Sequence, residues 1–175
     1  MLETDSVSTD QLRVVAGLSF ECRNRALGVL ALETALERLL AAEPRHHAEI
    51  AAVLRQLVHR ASSRQAAWPY FKTATRLLDG YSAANAPFGT DELQWLLAEA
   101  WNRGVAAFRE SKLEEAESWI ATAFSLSGYA AALAPWREEV NEGCECLRRV
   151  SNAPESFERA HAHGSPLSLL QTKSA

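Results

Sequence analysis

Valine and isoleucine together supply only 11 of the 175 residues, against 31 alanines and 23 leucines. Strands draw on β-branched residues and helices on alanine and leucine, so this imbalance speaks against a sheet protein. Eight glycines and six prolines are likewise too few for the frequent turns of a β-sandwich. Three cysteines, two of them in Cys144-Glu145-Cys146, make no disulfide framework and fit a reducing compartment. No apolar run approaches the roughly 18 residues that span a membrane, and the acidic, polar start MLETDSVSTD lacks the pattern of a signal peptide. An excess of positive charge is missing too: the formal net charge is -4, which argues against a dedicated nucleic-acid binder. The expectation is a soluble, intracellular, all-α chain.

What is present is helical periodicity. Ser8 or Thr9, followed by Gln11, can cap a first helix whose apolar side is Leu12, Val15, Leu18 and Phe20. A second helix is expected over 25–42, with Leu32, Ala35, Leu36, Leu39 and Leu40 on one face and Pro44 beyond its end. A third, over 46–61, carries Ile50, Val53, Leu54, Leu57 and Val58. A fourth runs from Pro69, a favoured first-turn residue, to Leu78. After the loop YSAANAPFG, Thr90 is placed as the cap of a long fifth helix, with Asp91 and Glu92 in its first turn. Its apolar positions are Leu93, Leu96, Leu97, Ala100, Trp101, Gly104, Val105 and Phe108. A sixth helix spans Leu113 to Leu126, and a seventh runs from Tyr129 to Val150 with a bend at Pro135. The fold class is therefore all-α: stacked antiparallel helical hairpins, a tetratricopeptide-like α-solenoid of about seven helices. The solenoid is assigned to residues 9–150, between a disordered N-terminus (1–8) and a flexible C-terminal tail (151–175).

The first helical pair holds more apolar side chains than one interface can hide: Leu12, Val14, Val15, Leu18 and Phe20, then Leu27, Val29, Leu30, Leu32, Leu36, Leu39 and Leu40. In a repeat array such an uncovered pair marks a raw edge, where another helical pair or a partner docks. The seventh helix instead mixes Arg137, Glu138, Glu139, Glu142, Arg148 and Arg149 among its apolar residues, as a closing helix does.

Residues 97–128 follow the tetratricopeptide pattern of about 34 residues. Counting from Leu97, Gly104 falls where the paired helices cross most closely, and Ala116 and Ala123 fall at the small positions against which the second helix packs. Leu113, Ile120 and Leu126 occupy apolar positions, while Trp101 and Phe108 are each displaced by one residue from the aromatic sites. A weaker copy over 9–42 places Gly28, Leu32 and Ala35 at corresponding positions.

The run Glu92-Leu93-Gln94-Trp95-Leu96-Leu97-Ala98-Glu99-Ala100-Trp101-Asn102-Arg103-Gly104 is more specific, and so is Glu115 to Leu126 with Trp119 at its centre. Together they resemble the C-terminal portion of the meiotic crossover scaffold family, the sporulation-specific Zip four proteins and their testis-expressed relatives. Gln94 stands where that family often has glutamate. The resemblance covers residues 88–127 and implies a non-catalytic scaffold in the nucleus, associated with chromosomes. It would support crossover formation and synaptonemal-complex assembly through meiotic chromosome-axis or crossover proteins. The family motif and packing residues are then Glu92, Trp95, Trp101, Asn102, Gly104, Ala116, Trp119 and Ala123.

Little in the chain looks like chemistry. His46-His47 lies more than three helical turns from His59, too far for one ion. The thiols of Cys144 and Cys146 point about 200° apart on a helix, and His161 and His163 lie in the tail. No nucleophile elbow or phosphate loop is present, so neither a catalytic residue, a metal ligand, a cofactor nor a small-molecule substrate is assigned. Residues 45–78 carry six Lys/Arg and one acid, but without interleaved aromatics the pattern argues against direct DNA binding. Trp68 and Trp136, each beside a proline, are the candidate partner contacts. Two other functions remain open. A general co-chaperone-like adaptor would need a carboxylate clamp, of which only Asn102 and Arg103 are present; a small helical metal-binding protein or enzyme would have to use the cysteines and histidines.

Overall fold

The computed structural model describes residues 7–79, 81, 86–129 and 133–152. Among them are seven helices and no strand: α1 (Thr9–Glu21), α2 (Arg25–Ala41), α3 (His47–Arg60), α4 (Arg64–Leu78), α5 (Thr90–Arg109), α6 (Leu113–Ser127) and α7 (Ala134–Asn152). No helix among these residues is long and apolar enough to cross a membrane. The chain divides into two compact units, residues 1–74 and 75–175, with the boundary inside α4. In the first unit α1 packs on α2 and α2 on α3; in the second α5 packs on α6 and α6 on α7. The expected tail and Cys146, His161 and His163 lie outside the described residues or side chains.

Two turns of the same construction make the tight hairpins. After α1, the Arg23 N–H donates to the Phe20 carbonyl (3.1 Å) and the Asn24 N–H to the Ser19 carbonyl (2.8 Å). After α5, Ser111 donates to Phe108 (2.9 Å) and Lys112 to Ala107 (3.0 Å). These nested bonds form a Schellman motif, which satisfies orphan carbonyls at a helix end and requires a left-handed residue. Arg23 (φ 59) and Ser111 (φ 61) fill that role where glycine is the usual occupant. Each hairpin therefore turns in three residues, although neither turn carries the glycine that would announce it.

The helix ends correct several expectations. Ser8, rather than Thr9, caps α1: its hydroxyl accepts from Gln11 N (3.2 Å), and the Gln11 side chain accepts in return from Ser8 N (2.7 Å). Thr90 is the first residue of α5, whose cap is Gly89. Pro69 does not open α4; the helix starts at Arg64, where Ser63 accepts from Ala66 N (3.1 Å). Pro69 then sits in the second turn, where it removes the bond to the Gln65 carbonyl, a cost that the buried face of Ala67, Phe71, Ala74 and Leu78 outweighs. Pro135 bends nothing, because it is the second residue of α7 and its missing N–H is one that helix starts leave unpaired anyway.

The inward face of α1 also differs from expectation. Ala16 and Ser19 are buried and Leu12 half-buried, whereas Val15 and Leu18 are exposed. Ser19 tolerates burial because its hydroxyl donates to the Val15 carbonyl at 2.7 Å. In the first unit Tyr70 donates to Glu33 (2.7 Å), and in the second Tyr129 donates to Asp79 (3.0 Å). Burial first, then the carboxylate partner, holds both phenol protons above their ordinary range.

Candidate functional site

The motif residues of the second unit are mostly structural. Trp101 and Trp119 are each 2% exposed, and Ala116 and Ala123 are fully buried. All eight expected apolar positions of α5 are buried. Gly104 meets Ile120 of α6 so closely that an added Cβ would lie 2.5 Å from Ile120 Cγ1. Trp95, Glu92 and Asn102 are half-buried. Arg103, half of the possible carboxylate clamp, pairs with Glu99 (3.3 Å) and lies 5.6 Å from the centre of the Trp119 ring. Its guanidinium is thus engaged within the hairpin.

Trp68 and Trp136, the candidate contacts, are both half-buried, and Lys72 Nζ lies 5.8 Å over the Trp68 ring. His46 is exposed, 3.9 Å from Glu49, and His47 is half-buried; Cys22 is exposed and Cys144 half-buried. No group of three or more His, Cys, Asp or Glu side chains converges among the described residues. His59 instead stands beside Arg60 on a cavity shared with Arg23 and Arg25. Those residues come from separate helices, so linear spacing gives no sign of the grouping.

The surface that stands out is on the first hairpin. Val14, Val15 and Leu18 on α1 and Leu27 and Leu30 on α2 are between 38% and 61% exposed. With Val7 and Tyr81 they are all the large apolar side chains exposed among the described residues. Spacing explains it: Leu32, Leu36 and Leu39 of α2 face the core with Gly28, Ala31 and Ala35, while Leu27 and Leu30 fall on the other side of the helix. The first two turns of α2 are therefore apolar on both sides, whereas Glu37 and Arg38 make the outer side of its later turns polar. The five side chains leave on the order of 400 Å² of apolar surface in water, within the roughly 300–600 Å² of the largest patch on a typical monomer, which is often functional. Gly17 and Ala26 lie exposed on the same two helices, and a Cβ at Gly17 would meet nothing within 4 Å.

Comparison with family models, curated proteins and solved structures finds no match.

Proposed function

We propose that the chain is a non-catalytic interaction scaffold whose first hairpin docks a partner protein's helical face. The observation that carries this reading is the exposed apolar face of α1 and α2, Val14, Val15, Leu18, Leu27 and Leu30. Covering about 400 Å² of apolar surface is worth about 10 kcal/mol, enough to offset much of the cost of association. In the purified protein, a second copy is the apolar helical face at hand, and two such faces together cover about 800 Å² of apolar surface, about half of a standard interface of roughly 1,600 Å², the remainder falling to the polar rims. The resemblance of residues 88–127 to meiotic crossover scaffolds narrows the natural partner to meiotic chromosome-axis or crossover proteins, in the nucleus.

The test uses the full chain. The wild-type protein should self-associate at tens of micromolar in light scattering, and Leu18→Glu/Leu30→Glu should be monomeric with unchanged helicity. A monodisperse wild-type monomer with α1 and α2 well protected from hydrogen exchange would overturn the docking reading. The narrower meiotic reading fails if the tagged chain is absent from chromosomes in meiotic cells.

A further inference from the structure

At the tip of the first hairpin, three helix ends gather basic side chains with no acid among them. Phe20 near the end of α1, Arg23 in the turn, Arg25 at the start of α2, and His59, Arg60 and Ala61 at the end of α3 line a cavity of about 290 Å³. The four basic residues are exposed, so solvent reaches them. Two of the guanidiniums are held in place by neutral groups. Arg25 donates to the Arg60 backbone carbonyl, and the Arg60 guanidinium lies 4.4 Å from the centre of the Phe20 ring. The left-handed Schellman turn fixes the backbone of Arg23, and its side chain lines the cavity. Among the described residues none of the four makes an ion pair, and Glu21, the acid closest in sequence, does not line the cavity.

Three guanidiniums set around one cavity repel each other, and among the described residues no acid pairs with any of them. The carboxyl end of α3 offsets only roughly half a charge. We propose that this cavity binds a phosphomonoester. A phosphate dianion answers the charge better than a single carboxylate, and its terminal oxygens accept the paired N–H groups of arginine forks. His59 supplies a further donor. The volume lies at the small end for ligand sites, fitting a phosphoryl head group rather than a whole nucleotide. Because Arg25 and Arg60 are already restrained, less side-chain freedom is lost on binding. This site is separate from the apolar face and stands whether or not that face docks a partner.

The experiment titrates inorganic phosphate, O-phosphoserine and a phosphoserine peptide into the full chain by calorimetry, with ionic strength held constant by chloride. Saturable one-to-one binding of phosphate and phosphoserine is expected. Arg23→Asn should weaken it about tenfold or more by removing one charge-assisted fork. Asparagine is well suited to a left-handed position, so the turn survives, and an unchanged or higher melting temperature of the free variant checks this. Arg23→Asn/His59→Gln should abolish binding. A peptide that binds more tightly than phosphoserine identifies a phosphorylated protein as the source, and equal affinity identifies a free phosphomonoester. Absence of saturable binding, or equal affinity in the double variant, would overturn the proposal.

Discussion

Gly104→Ala should destabilise the chain by about 1–2 kcal/mol, although alanine is the better helix former. An added Cβ would lie 2.5 Å from Ile120 Cγ1, 3.2 Å from its Cδ1 and 3.3 Å from its backbone nitrogen. Carbon atoms at rest stay about 3.5–4.0 Å apart, so the overlap with Cγ1 exceeds what small adjustments absorb. Ile120 is fully buried and Cγ1 sits near the root of its side chain, so relief needs either a new rotamer or a displaced helix. Overpacking of this kind costs about 1–3 kcal/mol, and the backbone nitrogen of Ile120, also close to the new methyl, puts this case in the upper half. The helix-propensity gain of about 1 kcal/mol offsets part of it.

Urea unfolding followed by tryptophan fluorescence measures the difference, since Trp101 and Trp119 are buried in the same hairpin. A double-mutant cycle isolates the contact. Ile120→Ala alone should cost about 2–5 kcal/mol through its cavity. In Gly104→Ala/Ile120→Ala the new methyl enters that cavity, so the double variant should lose at least about 1 kcal/mol less than the sum of the singles. A Gly104→Ala protein as stable as its parent, or an additive cycle, would show that α5 and α6 do not cross at this point.

Trp101→Ala and Trp119→Ala should each cost about 3–5 kcal/mol, and acrylamide should reach neither indole in the folded chain. Because the buried Trp101 Nε1 finds no acceptor, Trp101→Phe should cost clearly less than Trp101→Ala in the same urea assay. Tyr70 keeps its proton in the folded state to higher pH than the ordinary value of 10.0. Its contribution is therefore intact below about pH 10 and lost as pH rises above that, so thermal stability should fall more steeply there in the wild type than in Tyr70→Phe. Equal slopes would show that the Glu33 bond is not formed. Ser111→Gly should raise stability by up to about 1 kcal/mol in thermal melts, by relieving the left-handed strain at φ 61. A loss would argue against the Schellman turn.

The helices were legible because α3 and α5 each bury one clean stripe: Ile50, Val53, Leu54, Leu57 and Val58 in one, Leu93 to Phe108 in the other. α1 was less so. Its true inner face uses Ala16 and Ser19, and a scale that ranks side chains by apolarity prefers Val15 and Leu18. The start of α4 was hidden because proline favours a first turn, yet the Ser63 cap and the buried Phe71 face hold it in the second. The basic cavity was invisible for a different reason. Arg25 and Arg60 are 35 residues apart, and only the packing of α2 on α3 brings the end of one to the start of the other.

The two tight hairpins solve the same problem with the same parts and then diverge. Each turns on a left-handed residue that is not glycine, and each admits a large side chain against a buried glycine, Phe20 on Gly28 in one and Ile120 on Gly104 in the other. α5 and α6 place nearly all of their large apolar side chains in the core. α1 and α2 fill their own core with Ala16, Leu32, Ala35, Leu36 and Leu39, and still carry Val14, Leu18, Leu27 and Leu30 on the outside. Folding the hairpin does not need those four, because the core side of α2 is complete without them. Polar residues there would keep the same core at less risk of aggregation. A face that folding does not require, and that solubility disfavours, is best explained by something that covers it. That is why we propose the docking role for the apolar outer side of the first hairpin rather than for the motif-bearing second one.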